Sequence, residues 1–255
     1  MTSWCDKLAS VPTVGLALDF HFAGSDTILT ALTHVWDPLV EGQKARFELE
    51  KLEAFTVTIN THDGFKYSVE PSKASVSFNH RMRPKAVSGG APVMEMLSQP
   101  LPFTELLPIV NKKLVEAALA LPGAKGRHFR RYGIVSSTPV AEDDLPPGIR
   151  RMLDYMGKPW GKLDDAFSLQ VTARLGKGAN FYDRCVHTIL RSDDSQDLMT
   201  VMFDYQRTYN EGQPITTTAL KETAASTERA ALKYFEEIAE GDRFDEVNIR
   251  DEVNA

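Results

Sequence analysis

The chain has 255 residues, 42% of them hydrophobic and 25% charged, with a formal net charge of −6. That is a folded chain with a substantial core, long enough for one large domain or two ordinary ones. An acidic balance argues against a body that grips nucleic acid all over its surface, so any such role needs a local basic patch. Two cysteines, Cys5 and Cys185, are too few for a disulfide framework or a thiolate zinc site, which predicts a reducing, cytoplasmic setting. No stretch reaches the ~18–20 apolar residues of a membrane span, so no membrane partner is expected. The tail GDRFDEVNIRDEVNA is acidic and polar.

Val14–Phe22 (VGLALDFHF) alternates with period two, placing Leu16, Leu18, Phe20 and Phe22 on one strand face. Ser25-Asp26 can cap a helix over Thr27–Val40, where Ile28, Leu32, Val35, Trp36 and Leu39 recur at helical spacing. Ala45–Asn60 reads as a β-rich run, His62-Asp63-Gly64 as a hairpin turn, and Phe65–Glu70 and Ser75–Met82 as further strands. Residues 84–102 hold four prolines and Gly89-Gly90 and read as a long loop. A helix follows from Thr104 to Leu121, stopped at Pro122-Gly123.

The second part opens on GRHFRRYGIVSS, which leads into a strand over Phe129–Val140. Pro146-Pro147 starts a short helix through Met156. Strands are predicted at Phe167–Leu175, Phe181–Arg191 and Asp197–Tyr209, with Gly176-Lys177-Gly178 as a hairpin turn. A last helix over Thr217–Glu240 carries one stripe: Leu220, Ala224, Thr227, Ala231, Phe235 and Ile238.

The element order repeats. Residues 1–124 and 125–255 each read as β-α-β-β-β-α, giving an α+β fold of two tandem units whose antiparallel strands join edge to edge, with helices on one face. The best local match is Ser75–Asn79 (SVSFN) against Thr200–Asp204 (TVMFD), and Thr13-Val14-Gly15 stands where Arg131-Tyr132-Gly133 stands. This order resembles the half-repeat of saddle-shaped folds such as the TATA-binding protein, which carries an extra strand in each half. Arg131-Tyr132-Gly133, Met202-Phe203-Asp204-Tyr205 and the helix after them also resemble a sporadically distributed family of uncharacterised bacterial proteins of similar length. That resemblance supplies no catalytic residues. It implies a bacterial setting and an association with mobile, anti-phage islands.

No P-loop, dinucleotide fingerprint, zinc-protease or nucleophile-elbow motif is present, and no cofactor is expected. Asp19 and His21 share a strand face and could begin a metal site, though no third ligand is evident. Two basic clusters stand out: His80, Arg81, Arg83 and Lys85, and Lys125, Arg127, His128, Arg130 and Arg131, with Phe78, Phe129 and Tyr132 interleaved. Arginine beside aromatics suits phosphate and base contacts, or an acidic protein surface. The leading expectation is a non-catalytic binding or assembly subunit that joins partner proteins in a complex. Nucleic-acid binding through the two clusters is the alternative, and a metal-dependent enzyme at Asp19 and His21 the third class.

Overall fold

A computed structural model describes residues 5–6, 11–36, 47–61, 63–79, 82–85, 93–96, 101–157, 167–191 and 198–241. The fold is α+β. Its strands are β1 (Val11–Leu18), β2 (Phe47–Leu52), β3 (Val57–Thr61), β4 (Phe65–Glu70), β5 (Lys73–Phe78), β6 (Met82–Lys85), β7 (Val93–Met96), β8 (His128–Ala141), β9 (Phe167–Lys177), β10 (Phe181–Arg191) and β11 (Leu198–Pro214). The helices used below are α1 (Ser25–Trp36), α2 (Phe103–Ala120), α3 (Pro147–Gly157) and α4 (Thr217–Glu240). Nine strands form one antiparallel sheet in the order β2-β3-β4-β5-β1-β8-β11-β10-β9, and β6 and β7 pair separately.

Period-two alternation decides which side of the sheet is covered. On β8, Phe129, Tyr132, Ile134, Ser136, Thr138 and Val140 are buried while the intervening residues are not. The buried side carries the helices. α2 packs on β1 and β5, α4 on β8 and β11, and α2 and α4 touch each other. The α4 stripe is buried at every residue named above. Phe203 on β11 stacks on Phe235, with ring centroids 4.9 Å apart. Thr216 caps α4 by accepting from the Ala219 amide at 3.2 Å, and Gly241 ends it in the left-handed region at φ 92°. The core is continuous across the halves, because β1 and β8 pair in a ladder running from Val11 opposite Ser137 to Leu18 opposite Phe129.

Four expectations need correction. The run 45–60 is two strands, β2 and β3, reversing through residues 53–56 where Glu53 N–H bonds the Thr56 carbonyl at 2.9 Å. Among the described residues the first half therefore carries four strands between its helix and β6, while the second half keeps β-α-β-β-β-α. The run 84–102 holds β7 and the end of β6. The strand expected to reach Phe22 stops at Leu18, after a register shift between Ala17 and Leu18. Phe20 and Phe22 consequently leave the core face and are 63% and 64% exposed, edge to face at 4.6 Å.

The register also corrects the sequence match. Gly15 lies opposite Gly133, and these pair outward with Ser75 and Gln206 respectively. Ser75 thus sits level with Gln206, six positions along β11 from the Thr200 that matches it in sequence.

Candidate binding site on the open sheet face

The second basic cluster divides between two roles. Arg127 is buried, and one guanidinium nitrogen donates to the carbonyls of Asp19 and Pro71, both at 2.9 Å. It ties the segment after β1 to the β4–β5 turn, and burial lowers its pKa from the usual arginine value. His128 and Arg130 are exposed and flank Asp19, at 3.5 Å (Nδ1 to Oδ2) and 3.8 Å (Nε to Oδ1). Lys125 sits in the short 3-10 turn Ala124–Gly126. Arg131 is exposed on β8, where its terminal nitrogen donates to Gln206 Oε1 of β11 at 3.3 Å. Arg83 and Lys85 lie on β6, opposite Glu95 and Val93 of β7. His80 and Arg81 fall outside the described residues.

Asp19 is therefore flanked by the Arg130 guanidinium and the His128 ring. His21 lies elsewhere: its ring packs over Gly123, so close that a Cβ there would sit 3.2 Å from it. Among the described residues no group of three His, Cys, Asp or Glu side chains could hold a metal ion.

The open face has a site of its own at the seam between β1 and β8. Thr13, Gly15, Ala17, Ser75, Gly133, Val135, Glu70, Lys73, Arg131, Asp204 and Gln206 line a depression of about 490 Å³ there. That volume is within the range of small-molecule sites. Its floor is low because Gly15 and Gly133 face each other across the ladder. A Cβ on Gly133 would meet nothing nearer than 3.9 Å, so the backbone lies bare beneath free space. Ala17 stands between Lys73 on one side and Arg131 on the other.

One wall is a polar chain. Arg184 on β10 donates from Nε and a terminal nitrogen to Gln206 Oε1, at 2.9 and 2.7 Å. The Gln206 amide donates in turn to Asp204 Oδ2 at 2.5 Å. Burial pushes the Asp204 carboxyl above the usual aspartate value, while the Gln206 bond and the charges of Arg131 and Arg184 pull it back. Further along the same face Arg174 lies over the Tyr182 ring, 4.9 Å from its centroid.

A second polar cluster lies on the covered side, under α4. Asp183 and Arg207 are both buried; Tyr205 donates to Asp183 at 2.8 Å, and Arg207 donates to Ser226 of α4 at 2.7 Å. Cys185 is fully buried and burial raises its thiol pKa, as expected of an inert core thiol. This cluster braces the core.

The open-face residues were missed by reading along the chain. Lys73, Arg184 and the Asp204–Gln206 pair come from three strands, with no sequence spacing that links one strand to another. One signal did point to the place: the match of Thr13-Val14-Gly15 with Arg131-Tyr132-Gly133 brings together the two glycines of its floor. Searches against protein-family models, curated proteins and solved structures find no match for the chain.

Proposed function

We propose that the chain is a binding subunit that receives its partner on the open face of the sheet, in keeping with an assembly role among partner proteins. The observation that carries this is the seam depression, floored by Gly15 and Gly133 and walled by ionic side chains on the face opposite α2 and α4. Helices brace one side, leaving a rigid platform of half-buried small and polar residues on the other. Rigid elements hold contact groups more accurately than loops do. Cys5 and Cys185 are buried and not joined in a disulfide, and a reducing cytoplasmic compartment is part of the same proposal.

The reading includes an internal duplication. It is supported by the strand order, which runs outward from the seam as β1-β5-β4-β3 on one side and β8-β11-β10-β9 on the other. Gly15 and Gly133, matched in sequence, are also direct pairing partners, as a twofold axis at that pair would require. β2 is then an added edge strand of the first copy.

The test is a bulky substitution on the platform. Val135→Trp, placed at the seam, should leave the far-ultraviolet circular dichroism unchanged and should release proteins that co-purify stoichiometrically with the chain from its native cells. The same partners at the same stoichiometry on both forms would refute an open-face interface.

A second reading, nucleic-acid binding, is favoured by one observation. Lys73, Arg131, Arg184 and Arg174 stand on β5, β8, β10 and β9, a stripe of cations roughly 24 Å long at the usual strand spacing. Tyr182 lies within it, and aromatic rings beside cations are how sheets hold single strands. Binding of a single-stranded oligonucleotide should then weaken with salt and with Arg184→Glu; binding insensitive to both would dismiss it.

A further inference from the structure

The seam depression asks for a ligand with three different parts. Lys73 and Arg131 flank Ala17 on neighbouring strands, with Cα atoms about 10 Å apart by strand spacing. Lys73 makes no ion pair among the described residues, and Arg131 makes one long hydrogen bond. Two cations over a methyl-sized side chain suit an anionic group, and a guanidinium fork suits phosphate in particular. The glycine floor asks for something flat. Backbone without Cβ atoms lets a planar ring approach closely, as glycines do wherever a ligand lies against the main chain.

The far wall asks for a donor edge. Asp204 accepts one bond from Gln206 on Oδ2, which leaves Oδ1 and further lone pairs for N–H groups of a ligand. Gln206 Oε1 is already occupied by Arg184 and Arg131, so the acceptor presented to a ligand is the Asp204 carboxylate. Glu70, next to Lys73, also lines the depression; its charge moderates the anion site and favours a ligand carrying only a single phosphate group.

We infer that the seam binds a nucleotide unit, with its phosphate between Lys73 and Arg131, its base flat over Gly15 and Gly133, and an N–H-bearing base edge on Asp204. The inference rests on the open face being a binding surface and names the chemistry of what occupies its centre. Guanine fits best, because its edge offers adjacent N–H donors that a carboxylate accepts together. The unit arrives either as a free mononucleotide or as one residue of a single strand.

Calorimetric titration of the full chain with GMP, with a short guanine-containing single-stranded RNA, and with inorganic phosphate separates these sources. Saturable GMP binding is expected, weakened more than about tenfold by Arg131→Glu, which removes a charge-assisted contact. Gly133→Leu, which fills the slot, should act likewise, and Arg130→Ala, off the site, should not. Binding of the RNA alone, lost in the same two variants, assigns the unit to a strand. Saturation by neither nucleotide nor RNA, or binding that both variants leave intact, overturns the inference. If a protein partner is nonetheless released by Val135→Trp, the open-face reading survives without it.

Discussion

Arg207 on β11 and Asp183 on β10 meet as a bidentate ion pair beneath α4, with Nε 2.8 Å from Oδ1 and a terminal nitrogen 2.7 Å from Oδ2. Phe181 closes the guanidinium from one side, 4.0 Å from ring centroid to carbon, and Ser226 Oγ accepts a further hydrogen bond from it. Both charges are out of water, so either one alone is costly. Asp183→Ala should destabilise the fold by about 3–5 kcal/mol, because Arg207 is left buried and uncompensated. The double variant Asp183→Leu with Arg207→Met should recover most of the loss. Urea unfolding of the three proteins checks this; a double variant no better than the single would show that packing, and not charge, carries the cost.

The basic segment around Phe129 contains arginines of opposite character. Arg127 satisfies two backbone carbonyls from a buried position, and Arg127→Ala should cost about 1–3 kcal/mol, since buried acceptors lose their donor. Arg130 is 67% exposed and 3.8 Å from Asp19, and Arg130→Ala should shift stability by about 0.5 kcal/mol or less. Thermal melts of the two variants side by side should show a clear gap, and equal melts would contradict the assigned roles.

Asp204 makes stability depend on pH. Its folded pKa lies above the usual aspartate value, chiefly because burial disfavours the charged form. In the window between the unfolded and the raised folded value, the folded chain holds a proton that the unfolded chain has released. Its contribution therefore turns unfavourable as pH rises through that window. Asp204→Asn removes this cost. The variant should melt above the wild type at pH 7, and the two should converge as pH falls below the aspartate reference value of 3.8. A gap that widens toward acid would have the wrong sign.

The join between α3 and α4 depends on a missing side chain. A Cβ at Gly148 would fall 1.9 Å from the Ile238 carbonyl and 2.8 Å from Gly241. Those contacts are backbone, so the α3 N-terminus itself must move. Gly148→Ala should cost about 1–3 kcal/mol as overpacking does, or more if α3 detaches. Hydrogen exchange should show the loss concentrated in α3 and the end of α4.

Most of the covered face was legible in the sequence, because burial imposes a period. The α4 stripe, the β8 alternation and the stop at Pro122-Gly123 all follow from residues a few positions apart. The turn at residues 53–56 was not legible: Glu53, Ala54, Phe55 and Thr56 include neither glycine nor proline, and the reversal is set by pairing between β2 and β3. Arg127 looked like its basic neighbours because the feature that sets it apart, the carbonyls of Asp19 and Pro71, lies far away in the chain. The seam site was hidden for the same reason. Its walls come from Lys73, Arg131, Asp204 and Gln206, and only strand order brings the three strands that carry them together.

The ladder between β1 and β8 makes the two halves depend on each other as split-protein fragments do. A chain cut within Ala124–Gly126 would leave each piece with a long unpaired edge, an invitation to self-association. Each piece would also lose the contact between α2 and α4 that crosses the cut. Expressed alone, either fragment should aggregate; expressed together, they should zip along Gly15 and Gly133 into a single soluble sheet, with the seam as the reassembly point.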